Sequence, residues 1–183
     1  MTETVLNTSI SEPAVSAGEA DMLIFALDRS RAQFAWKCGG LDAAALNRTF
    51  PPSTMTLGGM IKHLAFLEDW TAVRLVAHAM PEPWTGVDWD ADPGWPWHSA
   101  ADDSPDDLYG LWQDASARCR AAVDEVLADG GLDRPVRFTF TPDWVPNARR
   151  ILVDLHDDYA RHVGHADLFR EAIDGLVGED PPQ

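Results

Sequence analysis

Residues 147–175 read NARRILVDLHDDYARHVGHADLFREAIDG, and this stretch decides the fold. Apolar, aromatic and imidazole side chains recur in it three or four positions apart, which is the spacing of one face of an α-helix. Glycine follows this face at the position where a helix commonly ends. The face comprises Ile151, Leu155, Tyr159, His162, Ala166, Phe169 and Ile173. The pattern predicts a helix that begins near Asn147 and ends between Gly175 and Gly178.

Three stretches upstream show the same periodicity. The first follows the capping-box sequence SAGE at 16–19 and ends at Gly39. The second runs from the expected N-cap Thr56 to about His78, and the third from Ser104 to Asp129. Four amphipathic helices in one chain predict an all-α fold, an up-down four-helix bundle. We expect residues 1–183 to form a single domain with a flexible N-terminus at 1–17.

The composition excludes several classes of function. Thirty acidic residues against fourteen Lys and Arg give a formal net charge of -16, which argues against binding to nucleic acid or to anionic lipid. No segment approaches the ~20 consecutive apolar residues of a membrane helix. The N-terminus does not resemble a secretory signal, and the two cysteines, Cys38 and Cys119, have neither disulfide-framework nor metal spacing. A cytoplasmic protein with a small-molecule substrate is the expectation.

Tryptophan and acidic residues are concentrated in residues 81–107, which we call the tryptophan-rich connection. It joins the second and third predicted helices and contains eight acidic residues, no Lys or Arg, and half of the eight tryptophans. These tryptophans are Trp84, Trp89, Trp95 and Trp97. A connection of this length is usually functional or disordered, and four large aromatic residues favour a packed one. It is a candidate wall or lid of a site, and equally a plain cover for the end of the bundle.

Three side chains are candidate metal ligands. Asp158 and His162 lie four residues apart on the last predicted helix, so their Cβ atoms are ~5 to 6 Å apart, and His63 faces inward from the second helix. Two imidazoles and one carboxylate suit a first-row divalent ion and leave coordination positions open. From the pattern alone, His63 could instead be a hydrogen-bonded core residue, and the other two an intrahelical pair. His165, one turn beyond His162, is also a possible ligand.

Two motifs carry a family resemblance. They are TLGGMIKHL at 56–64, followed by Glu68 and Trp70, and RHVGHAD at 161–167, followed by REAIDG at 170–175. From about residue 23 to 175 the chain resembles the DinB-like superfamily, and is most similar to the branch related to mycothiol-dependent maleylpyruvate isomerase. The resemblance implies a divalent metal on His63, Asp158 and His162. At the carboxylate position the isomerase branch has Glu and many other members have His.

The resemblance also implies a function. It indicates a metal-dependent enzyme, a thiol transferase or thiol-dependent isomerase, in which zinc or nickel activates a low-molecular-weight thiol such as mycothiol. It further implies a homodimer. The alternative is a bundle protein that binds a metal or small ligand without turnover, in an unassigned stress-related role. Fold alone does not decide between the two.

Overall fold

The structure is a computed structural model that describes residues 4–139 and 141–182. It is all-helical in these ranges, with six α-helices, three 3-10 turns and no strand. The α-helices are α1 (Glu19–Cys38), α2 (Ala43–Leu46), α3 (Leu57–Val76), α4 (Trp95–Ser99), α5 (Pro105–Ala128) and α6 (Ala148–Asp174). The four long helices α1, α3, α5 and α6 correspond to the four predicted from periodicity.

Local capping signals set the starts of three long helices. The side chains of Thr56, Ser104 and Asn147 accept hydrogen bonds from backbone N–H groups in the first turns of α3, α5 and α6. The capping box expected at 16–19 is wrong, because α1 begins after Gly18, which has no side chain to cap the helix. The second predicted helix also ends early, at Val76, since Ala77 turns into the left-handed region with φ 58°.

The long helices bury one continuous core. α3 packs against α5 and α6, and α1 packs against α6. Apolar side chains from all four are buried, among them Phe34, Leu64, Val126 and Ile151. None of the helices in the described ranges is long and apolar enough to cross a membrane.

A polar network lies inside this core. The Glu68 carboxylate of α3 is fully buried and accepts hydrogen bonds from Arg31 Nε and Nη2 of α1 at 2.7 and 2.6 Å. The hydroxyl of Tyr159 in α6 donates to the same carboxylate at 2.6 Å and accepts from Trp112 Nε1 of α5 at 2.7 Å. All four long helices therefore meet at one hydrogen-bonded cluster, which fixes how α3 and α6 are aligned.

The tryptophan-rich connection is not an irregular loop throughout. It contains α4 and two 3-10 turns, Trp84–Gly86 and Ala100–Asp102, and its last three residues begin α5. Trp84 is buried and donates its Nε1–H to the Asp69 carboxylate of α3 at 2.8 Å. Trp89, Trp95 and Trp97 are partly buried against the core. The connection is thus packed onto α3.

The N-terminal segment also has contacts. Leu6 is buried, the Thr4 N–H donates to Asp106, and Gln113 of α5 donates to the Val5 carbonyl. Residues 4–6, which belong to the segment expected to be flexible, therefore lie against the helices, and residues 1–3 lie outside the described part of the chain. A cavity of about 690 Å³ lies between residues 7–13, α1 and α5.

Candidate metal centre

The three predicted ligands meet between α3 and α6. His63, Asp158 and His162 each offer one ligand atom, and these atoms all lie within 4.8 Å of one another. Asp158 and His162 share a face because they are one turn apart on α6, and His63 faces them from α3. The ring centroids of the two histidines are 5.0 Å apart. One cation could contact all three side chains.

The core network determines where these ligands sit. Asp158 immediately precedes Tyr159, whose hydroxyl is tied to Glu68, and Glu68 lies five residues after His63 on α3. The hydrogen bond between Tyr159 and Glu68 therefore holds α3 and α6 in the alignment that brings His63 opposite Asp158. The ligands themselves need no direct contact with this network.

Burial keeps both imidazoles neutral. Loss of hydration lowers the pKa of His63 to about 4. The same effect lowers the pKa of His162 to about 4, with smaller contributions from His63, His165 and Arg161. At pH 7 each ring therefore carries a free lone pair, which is the form that binds a metal.

The carboxylate lies in a more mixed environment. Burial raises the pKa of Asp158, Arg161 opposes this shift, and the acidic neighbours Asp157 and Asp154 add to it. The Arg161 side chain is exposed, and its Nη1 lies 3.5 Å from Asp158 Oδ1. A carboxyl group whose anion is poorly stabilised by the protein gains more from a nearby cation.

Trp97 of α4 forms one wall of the site. Its indole stacks on the His63 ring, with centroids 4.7 Å apart and planes inclined by 27°. The same indole lies 5.6 Å from the His162 ring centroid. The tryptophan-rich connection thus contributes a side chain that touches both candidate histidine ligands.

His165 contacts the site without joining the triad. Its Nδ1 lies 3.4 Å from Nδ1 of His162. It is not among the residues whose ligand atoms mutually approach within 4.8 Å. His165 therefore contacts one candidate ligand, His162, but is not itself one of the three that converge.

Two further histidines, His98 and His156, and two arginines, Arg74 and Arg170, are not members of the triad. His98 pairs with Asp92 in the tryptophan-rich connection, and His156 is half-buried on α6. Arg170 donates to the carbonyls of Lys37 and Gly39 at the end of α1, which is a structural role. The guanidinium of Arg74 lies over the Trp144 ring, 4.9 Å from its centroid.

Sequence reasoning missed two parts of this arrangement. Periodicity gave no reason to choose Trp97 among the four tryptophans of the connection. The pair of Arg31 and Glu68 could have been predicted from the sequence. Each of the two lies four residues after an inward-facing leucine, Leu27 in α1 and Leu64 in α3. Two opposite charges are therefore expected to face the core. Buried opposite charges on separate helices are expected to pair.

The donor set fits a divalent metal ion. Two neutral imidazoles and a carboxylate converge from two helices, and three protein ligands leave further positions for water or substrate. The all-helical fold agrees with the resemblance to the DinB-like superfamily. The family model described as mycothiol S-transferase, a DinB-like family, matches residues 22–175. The chain belongs to the mycothiol S-transferase family. A search of curated proteins finds no match.

Proposed function

We propose that this protein is a metal-dependent transferase that joins a low-molecular-weight thiol, with mycothiol as the first candidate, to an electrophilic small molecule. His63, Asp158 and His162 would hold the metal in a DinB-like four-helix bundle. The observation that carries the proposal is their convergence within 4.8 Å on two helices of a chain in this family.

The charges of the three side chains suit thiol activation. A divalent cation such as zinc or nickel, when bound, supplies the positive charge that stabilises a thiolate at neutral pH. Because the two imidazoles are neutral and Asp158 contributes one negative charge, the occupied site would keep a net charge of about +1. That remaining charge favours an anionic sulfur over a neutral thiol.

The surrounding residues would orient the reactants and limit water. Trp97 covers one side of the histidine pair. Two contacts attach the rest of the tryptophan-rich connection to α3: Trp84 donates to Asp69, and Asp103 accepts from Lys62. An apolar wall next to a charged centre strengthens electrostatic interactions there and excludes competing hydrolysis. In the transfer, the thiol gives its proton to solvent, its sulfur forms a bond to a carbon of the electrophile, and the bond from that carbon to its leaving group breaks, so that the leaving group departs as an anion.

Metal binding is the first test. Isothermal titration of the metal-free protein with Ni²⁺ or Zn²⁺ should give one site per chain and a raised melting temperature. His162→Ala should abolish this binding, whereas His156→Ala on the same helix should retain it. Wild-type metal affinity in the His162→Ala variant would show that His162 is not a metal ligand and that the assigned ligand set is wrong.

Turnover is the second test. The metal-loaded protein should conjugate mycothiol to an aromatic electrophile faster than the uncatalysed reaction, and His162→Ala should not. If metal binds at the predicted ligands but no tested thiol is conjugated, the non-catalytic ligand-binding alternative is favoured. If no divalent metal binds, thiol activation by a metal is excluded.

We also propose, from the family resemblance, that the protein is a homodimer, and from the sequence that it works in the cytoplasm. Light scattering after size-exclusion chromatography tests the first proposal: a mass near 40 kDa is expected from a 20.1 kDa chain, whereas a mass near 20 kDa would exclude it.

A further inference from the structure

We infer that Trp97 is a positioning residue for the metal centre: its indole holds the His63 ring in the orientation that faces Asp158 and His162. This inference rests on the proposed function, because it assigns a role to a residue beside the same three ligands. It assigns a role to one of the four tryptophans of the tryptophan-rich connection.

The contact geometry is that of a ring support. A stacked pair with centroids 4.7 Å apart and planes inclined by 27° places the indole face over the imidazole. Rotation of the His63 ring about χ2 would then drive its edge into the indole. The same indole approaches the His162 ring at 5.6 Å, so one side chain restricts both imidazoles.

The backbone of α3 is shaped to admit this indole. A Cβ atom at Gly59 would lie 2.9 Å from Trp97 Cε3, closer than carbon atoms approach in proteins. Position 59 lies one turn before His63 on α3. Glycine is therefore required there for the Trp97 indole to occupy its place beside the His63 ring. The neighbouring Gly58 has no such constraint, since a Cβ there would lie 3.4 Å or more from other atoms.

Contacts on both sides of α4 hold Trp97 in place. Upstream, Trp84 is buried and bonded to Asp69 of α3. Downstream, Lys62 of α3 pairs with Asp103 at 2.5 Å, and its ammonium lies 4.2 Å from the centroid of the Trp95 ring. Lys62 is the residue immediately before His63, so the connection is attached directly beside the ligand that Trp97 supports.

The expected consequence is a loss of metal affinity. Removing a group that orients a ligand typically weakens metal binding 10- to 100-fold. We expect Trp97→Ala to fall in this range and Trp97→Phe, which keeps an aromatic face, to stay within about threefold of the wild type. Affinity is measured by titration of the metal-free protein with Ni²⁺ alone, without thiol or electrophile.

A spectroscopic measurement separates positioning from general loss of structure. Co²⁺ added to the metal-free protein reports the geometry of its ligands through its visible absorption bands. Trp97→Ala should shift or weaken these bands while the helical circular dichroism stays unchanged, and Trp97→Phe should restore the wild-type bands. If the alanine variant loses helicity, the decision rests instead on Trp97→Phe and on the variants of Gly58 and Gly59 described next.

The glycine pair supplies a matched control that leaves Trp97 itself intact. Gly59→Ala should weaken Ni²⁺ binding by displacing the indole, and Gly58→Ala in the same helical turn should not. A Cβ at 59 would also lie 3.1 Å from the Thr56 hydroxyl that caps α3. The double variant resolves this: in a Trp97→Ala background, Gly59→Ala should cause no further loss of affinity.

The outcomes distinguish this inference from the proposed function. If the wild type binds no metal, the proposed function fails and this inference fails with it. If the wild type binds metal through His162 but Trp97→Ala has the same Ni²⁺ affinity and the same Co²⁺ spectrum, only the role of Trp97 is overturned. Equal effects of Gly59→Ala with and without Trp97 would also overturn it.

Discussion

Replacing Arg31 by methionine should be one of the most destabilising substitutions in this chain. Methionine fills a similar length of apolar space but removes the two N–H donors that contact Glu68 at 2.7 and 2.6 Å. Glu68 is 0% exposed, so its charge would then lie in the core without a cation. Removing one partner of a buried ion pair costs about 3 to 5 kcal/mol. Tyr159 and Ser116 still donate to Glu68, which favours the lower part of that range.

Equilibrium unfolding in urea measures this cost. With a slope of about 2 to 3 kcal/mol per molar urea, the midpoint should fall by about 1 to 2 M without a change in slope. Arg149→Met is the matched control, because Arg149 pairs at the surface with the exposed side chains of Glu19 and Asp133. Surface pairs are worth at most about 1 kcal/mol. A loss below 1 kcal/mol for Arg31→Met would refute the assignment of a paired charge in the core.

The pH dependence provides a second check on the same pair. Burial alone would raise the pKa of Glu68, but the charge and hydrogen bonds of Arg31 outweigh it and the pKa is lowered. Without Arg31, burial should raise that pKa, and the variant can then take up a proton on Glu68 in its folded state. The stability difference between wild type and variant should therefore narrow as the pH falls from 8 to 5. A difference that widens towards acid pH would contradict the argument.

Three further predictions concern the site and the elements beside it. Because the pKa values of His63 and His162 are about 4, protons compete only weakly with a metal for these rings. The Ni²⁺ affinity should therefore stay within about twofold from pH 8 to 6, whereas a site of two histidines with ordinary pKa values would lose roughly tenfold. Titration calorimetry in matched buffers measures this change in affinity. Ala77→Gly should stabilise the protein by roughly 1 kcal/mol in urea unfolding, since φ 58° strains a residue with a Cβ, and a loss of stability would contradict this explanation. Trp84→Phe should lower the free energy of unfolding by about 1 to 3 kcal/mol, because the buried Asp69 loses its indole donor. Trp144→Phe is the control and should change that free energy little, since the Trp144 side chain is 47% exposed.

The parts of the fold that depend on local signals could be predicted from the sequence. The helices expected to begin at Thr56, at Ser104 and near Asn147 do begin there, because a capping side chain bonds to N–H groups two or three residues away. Asp158 and His162 could be paired for the same reason, since one turn of helix fixes their separation. The capping box predicted at 16–19 is wrong because the N-cap position of α1 is occupied by Gly18, which has no side chain to accept a hydrogen bond.

The parts that depend on the path of a long connection could not be predicted. The position of Trp97 follows from contacts between α3 and residues 15 to 41 positions away, such as Asp69 with Trp84 and Lys62 with Asp103. No periodicity connects such pairs in the sequence. The two glycines at 58–59 hint at a close approach to α3, but only the structure shows that Gly59, and not Gly58, faces an indole.

The core network and the candidate metal centre are joined by consecutive residues of α6. Asp158 turns towards His63, and the next residue, Tyr159, turns into the core and bonds to Glu68. Since both Tyr159 and Asp158 face α3, any slip of one helix along the other would break the buried hydrogen bond and separate the ligands together. Alignment of the ligands is therefore maintained by the interaction of Arg31, Glu68 and Tyr159, none of which is a candidate metal ligand. On this reasoning the metal-free protein already holds its ligands in place, and metal binding should not require the helices to rearrange.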